Sequence, residues 1–268
     1  MKSRIITSLT LLVLLAMPSM AQTDPAPLST VLLPVVGDVV GVFGVHFRTD
    51  VTVINMRNID QRVRIEWYPQ DTNSTAERTI EGTIPAFTIE PIADFVPMVL
   101  ETDGMGALRI VGIDASGDVD SGAELDAFAR IWSSNAGGMG TVSQSLYGIH
   151  EDEVVEPTAA VNNVLLIGMK QNENYRTNVG IVNLGVDSQF FRVQVSGTNG
   201  DTTLDVEVPA GALRQVALPE GNWGDVAITI AATVGASERW TAYASTINNH
   251  SGDAWISQDA HRRFRVAQ

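Results

Sequence analysis

Polar and apolar residues alternate along much of this chain. Val63, Ile65 and Trp67 are separated by Arg64 and Glu66, and Phe191, Val193 and Val195 by Arg192 and Gln194. Leu204, Val206 and Val208 follow the same rhythm, as do Val226, Ile228 and Ile230. A period of two places one set of side chains on a buried face and the other in water, which predicts β-strands. Turn cues separate the runs: Asn199-Gly200-Asp201, Asn135-Ala136-Gly137-Gly138 and Ser251-Gly252-Asp253. No amphipathic helical period stands out after the first 21 residues.

The pattern also repeats at long range. Phe47-Arg48-Thr49-Asp50-Val51-Thr52-Val53-Ile54-Asn55 aligns with Tyr175-Arg176-Thr177-Asn178-Val179-Gly180-Ile181-Val182-Asn183 at an offset of 128. The alignment runs without gaps for 22 pairs, six of them identical: Arg48, Thr49, Val51, Asn55, Gln61 and Arg64. Chance would supply one or two, at residue frequencies of about 5–8 %. Ile84-Pro85-Ala86 then pairs with Val208-Pro209-Ala210, and Ala127-Phe128-Ala129 with Ala242-Tyr243-Ala244, at shrinking offsets. The second copy therefore has shorter loops. A period near 120 residues is too long for a solenoid unit and reads as a duplicated domain.

Seven or eight short strands per copy predict an all-β fold of two tandem immunoglobulin-like antiparallel β-sandwiches. The expected boundaries are 1–21 signal peptide, 22–30 flexible segment, 31–150 first sandwich, 151–159 acidic linker and 160–268 second sandwich. The linker, His150-Glu151-Asp152-Glu153-Val154-Val155-Glu156-Pro157 at its start, is read as extended and self-repelling. An outer-membrane barrel would need aromatic girdles and strands of one size, and aromatics are only 6 %.

The Phe/Tyr-Arg-Thr-Asp/Asn strand, its terminal Asn and the Ile/Val-Pro-Ala turn resemble sandwich modules of secreted bacterial proteins of uncharacterised function. The resemblance implies an exported tandem sandwich and no particular activity.

The N-terminus supports export. Lys2 and Arg4 precede the mostly apolar run Ile5 to Met17, and Ser19-Met20-Ala21 fits a cleavage site. The run is shorter than the roughly 20 apolar residues a spanning helix needs. No later segment would span as a helix, so the mature chain from Gln22 is expected to be secreted or periplasmic. Asn73-Ser74-Thr75 and Asn249-His250-Ser251 match the glycosylation pattern, with little meaning in a bacterium.

Charge narrows the partners. The net charge of −14 becomes −16 when Lys2 and Arg4 are removed. Nucleic acid is an unsuitable partner for so acidic a chain. The acidity is uneven: 22–150 carries −10, 151–159 carries −4 and 160–268 only −2. The C-terminal Arg262-Arg263-Phe264-Arg265 ends the more neutral half. With no cysteine, disulfides, thiolate catalysis and cysteine-ligated metals are excluded.

Candidate chemistry is sparse. Asp114, Asp118, Asp120, Glu124 and Asp126 fall in one Gly-containing stretch, and converging carboxylates are what a calcium loop requires. The spacing is not that of an EF-hand, and the counterpart Thr233-Val234-Gly235-Ala236-Ser237 has no acids. Trp223, in Gly221-Asn222-Trp223-Gly224, is the tryptophan best placed to stack on a sugar; Trp67 and Trp240 read as core, Trp132 and Trp255 as either. Arg48 and Arg176 occupy equivalent positions and are read as a structural pair, with anion recognition as the alternative. The histidines His46, His150, His250 and His261 form no ligand spacing, and neither His-Glu-x-x-His nor Gly-x-Ser-x-Gly occurs.

The reading is a non-enzymatic exported protein without a cofactor, acting through surface contacts with a protein or glycan of the cell envelope. The alternatives are a carbohydrate-binding pair, calcium-assisted through the acidic loop, and a polysaccharide hydrolase.

Overall fold

The computed structural model describes residues 28–41, 44–72, 79–134, 140–156, 162–233 and 238–262. The leader, the turn at 135–139, the sequon at 73–75, the loop at 234–237 and the arginines beyond Arg262 lie outside these residues.

The chain is all-β with antiparallel sheets. The first half contains β1 (Thr30–Val40), β2 (His46–Asn55), β3 (Gln61–Pro69), β4 (Thr79–Ile84), β5 (Thr88–Ile92), the one-turn helix α1 (Phe95–Val99), β6 (Gly104–Ile113), β7 (Leu125–Ser134), β8 (Thr141–Tyr147) and β9 (Ile149–His150). The second contains β10 (Asn163–Gln171), β11 (Tyr175–Asn183), β12 (Gln189–Gly197), β13 (Gly200–Val208), β14 (Ala212–Ala217), β15 (Gly224–Ala232), β16 (Trp240–Asn248) and β17 (Ala254–Gln258). No helix among the described residues is long and apolar enough to cross a membrane.

In the second half the sheets run β10-β15-β12-β13 and β14-β11-β16-β17. In the first, β1-β6-β3-β4 and β5-β2-β7-β8 have the same order, strand for strand. There β1 also pairs with β2 through Val39 and Val40, so the two sheets are joined at one end. The alternating residues point where their period requires. Phe191, Val193 and Val195 are buried on β12, and Val63, Ile65 and Trp67 on β3.

The residues shared by the two halves do the same structural work. Asn55 ends β2, and its Nδ2 donates to the carbonyls of Ile59, Ile84 and Pro85. Asn183 ends β11 and donates to Asp187, Val208 and Pro209. Each thereby fixes the Ile/Val-Pro-Ala turn, satisfying carbonyls that leave the ladder. Thr49 donates to Gly37 O at 3.0 Å and Thr177 to Lys170 O at 2.5 Å, each reaching across to the first strand of its half.

Residues 151–156 differ from the extended, self-repelling expectation. Glu151–Glu153 form a single 3-10 turn, and Val155 exchanges backbone hydrogen bonds with Trp240. Three of the acids meet distant arginines: Arg239 pairs with Glu151 and Glu156, Arg109 with Glu151, and Arg262 Nε lies 3.7 Å from Glu153.

The second half packs through a sheet face onto the open end of the first. The outer face of β14-β11-β16 is buried: Val182, Leu213 and Tyr243 belong to the core cluster of the first half. Gly180 makes this possible, since a Cβ there would stand 2.1 Å from the Tyr243 ring. Side-chain bonds fasten the seam. Arg214 Nε donates to Asp71 Oδ1 at 2.7 Å, Ser245 Oγ to Gln144 at 2.8 Å and Gln258 Nε2 to Tyr147 O at 2.7 Å.

Candidate functional site

Three of the five acids in the 114–126 stretch accept hydrogen bonds from nearby backbone amides. Asp114 Oδ1 accepts from the amides of Ser116 and Asp118 at 2.8 and 3.1 Å. Asp120 accepts from the Gly122 amide at 2.9 Å and from Arg57 at 2.6 Å. Desolvation, the largest single influence, opposes its ionisation, but Gly122 and Arg57 together outweigh it and hold the carboxyl below the ordinary aspartate value. Asp126 accepts from the Ala127 amide, and Asp118 and Glu124 are exposed. The five are not brought to one point, and among the described residues no three His, Asp or Glu side chains group as a metal site would require.

The tryptophans divide in the same way. Trp67 and Trp240 are core residues. Trp223 is half-buried against the second core, its indole N–H bonded to Pro219 O at 3.1 Å. Gly221 closes one edge, where a Cβ would stand 3.0 Å from the ring. Trp255 donates to Gly168 O at 2.8 Å and meets Tyr175 edge-on. Trp132 lies beneath the Arg48 guanidinium, 5.7 Å from the ring centre.

The histidines have separate partners. His46 pairs with Asp38, His250 with Asn174, and His261 with Asn163, while His150 lies 4.0 Å from Asp126.

The equivalent arginines part company. Arg48 reaches Asp94 Oδ2 at 3.4 Å. Arg176 donates to Asn249 at 2.7 Å, and among the described residues no carboxylate is paired with it. Burial lowers its pKa.

Arg176 lines a cavity of about 680 Å³ where the halves meet. Val35, Phe47, Trp67 and Ile131 form its floor from between the first half's sheets, and Tyr243 and Ile247 its cover. Tyr243 is fully buried, donates to Gln215 Oε1 at 2.7 Å and has its pKa raised by burial. Gly106 gives Trp67 its room, since a Cβ would meet the indole at 2.8 Å.

A polar cluster flanks the seam. Glu66 accepts from Arg64, Arg109 and Tyr68 at 3.0, 2.9 and 3.2 Å. Burial, followed by Glu66, pushes the Tyr68 hydroxyl up to about 12. Burial also opposes ionisation of Glu151, and Arg109 and Arg239 outweigh it, so its pKa is lowered.

Neither the cavity nor the cluster is visible as a motif. Their signal in the sequence is two-sided burial: β11 and β16 carry apolar residues in both phases of the strand, among them Val182 and Tyr243. No protein-family model, curated protein or solved structure matches the chain.

Proposed function

We propose that this is a non-enzymatic, exported protein of two tandem immunoglobulin-like sandwich modules that acts by surface contact in the bacterial envelope or outside the cell. One comparison of equivalent positions carries the reading. Val182 faces Leu213 across β11 and β14, and both are fully buried against the first half. Their counterparts, Ile54 and Ile89, face each other across β2 and β5, and Ile89 is 65 % exposed. Phe87, beside it, is 72 % exposed. The first half thus presents uncovered the surface that the second half uses for docking. Exposed apolar side chains on an outermost strand suit recognition of another protein.

Two pairs of polar groups at the cavity are engaged, Asp71 with Arg214 and Gln144 with Ser245, which favours binding over acid–base chemistry.

A photo-crosslinking residue at Ile89 of the full chain, in an exporting bacterium, tests this. A discrete adduct from position 89, with none from the exposed Val186 on the other half, is the expected result. Equal yields, or none at 89, would overturn it. The mass of the exported chain should begin at Gln22.

A further inference from the structure

The cavity between the halves has the volume of a small-molecule site, which runs from roughly 300 to 1,000 Å³. Its walls are largely apolar: Val35, Phe47, Trp67 and Ile131 on one side, Ile247 and the Tyr243 ring on the other. Such walls favour an apolar body, with Gln144, Asn178 and Ser245 among the uncharged polar groups that also line it.

One cation breaks this lining. Arg176 is half-buried, and its recorded partner is the neutral Asn249. In the first half the same position is balanced by Asp94. A guanidinium drawn partly out of water without a counter-charge is costly, and an anion placed beside it recovers that cost as a charge-assisted hydrogen bond. The lowered pKa of Arg176 agrees with uncompensated burial.

The lining acids do not compete for it. Asp71 is bound to Arg214 at 2.7 Å, and Asp103 is exposed at the rim. The charge is also placed towards one end. Gln215 pairs with Gly180, four residues from Arg176 along β11, or roughly 13 Å at about 3.3 Å per residue. The cavity therefore has a cationic end and a neutral end at Gln215 and Tyr243.

We propose that this cavity binds a small amphiphile, an apolar chain ending in a carboxylate, with the carboxylate held by Arg176 and the chain lying between the halves. The site stands apart from the exposed β5 surface, and either proposal survives failure of the other.

Calorimetric titration of the full chain with decanoate and with decan-1-ol, below their aggregation limits, tests it. One decanoate should bind, tighter than the alcohol by about tenfold or more. Arg176→Leu should reduce the acid to the alcohol's affinity and leave the alcohol unchanged. Arg176→Lys, which keeps the charge, should retain the preference if the leucine variant proves unfolded by its melting curve. Arg48→Leu should change neither ligand. Absence of decanoate binding, equal affinity for acid and alcohol, or a preference that survives loss of the charge at position 176 would each overturn the proposal.

Discussion

Val154 and Val155 are neighbours in the chain and lie in different hydrophobic cores. Val154, 2 % exposed, packs with the first half, and Val155, 0 % exposed, with the second. An extended backbone points successive side chains to opposite sides, and here the two sides are two cores. The junction is thus a shared wall. Val154→Ala and Val155→Ala should each lower stability by about 2 kcal/mol, as expected for two buried methyl groups and the cavity they leave. Urea denaturation would measure this, and both variants should still unfold in one transition.

The Asn clamps offer a matched pair of tests. Asn55→Ala and Asn183→Ala each strip three backbone carbonyls of a donor. A loss of about 3 kcal/mol is expected at either site. Asn→Asp should be worse at neutral pH, because a carboxylate faces the same three oxygens and donates nothing. Chemical denaturation of the four variants at pH 7 would establish the order.

Glu151 sets a pH dependence. Its pKa is lowered in the fold, so its contribution is complete above the ordinary glutamate value of about 4.5 and is lost as the pH falls through the lower folded value. Glu151→Gln should cost about 2 kcal/mol at neutral pH, since it leaves Arg109 and Arg239 short of charge. The difference from the parent chain should shrink steadily as the pH is lowered from 5 towards 3. Stability curves at several pH values would show the two lines converge.

Gly180 and Tyr243 should be coupled. A Cβ at position 180 meets the ring at 2.1 Å, so Gly180→Ala is expected to cost about 3 kcal/mol by overpacking. Added to Tyr243→Ala, the same substitution should cost much less, because the ring it strikes is gone. A double-mutant cycle by thermal melting would measure that interaction.

The sequence made the strands of each half legible because one face of each strand is wet. The period of two marks Val63, Ile65 and Trp67, or Phe191, Val193 and Val195, without knowledge of any neighbour. The shared Asn and Thr residues were legible too, since their partners are the nearby turn and first strand of the same half. The seam was not. Its contacts join residues far apart in sequence, such as Asp71 with Arg214, and no local pattern records them. The acidic run after His150 misleads for the same reason: its charges look unbalanced until Arg109, Arg239 and Arg262 arrive from elsewhere. Of the equivalent arginines, Arg48 meets Asp94 and the Trp132 ring. Arg176 meets Asn249 instead, on a strand covered on both faces.

The cover over the first half also has a place in time. The strands of that half end at His150, and β16, which carries Tyr243 and Ile247 over its open end, is finished only at Asn248. A growing chain must therefore be extended by a further 98 residues before Phe47 and Trp67 face Tyr243 and Ile247 across the cavity. Throughout that interval the nascent protein presents an apolar mouth with nothing opposite it, the kind of transient surface on which incomplete chains associate.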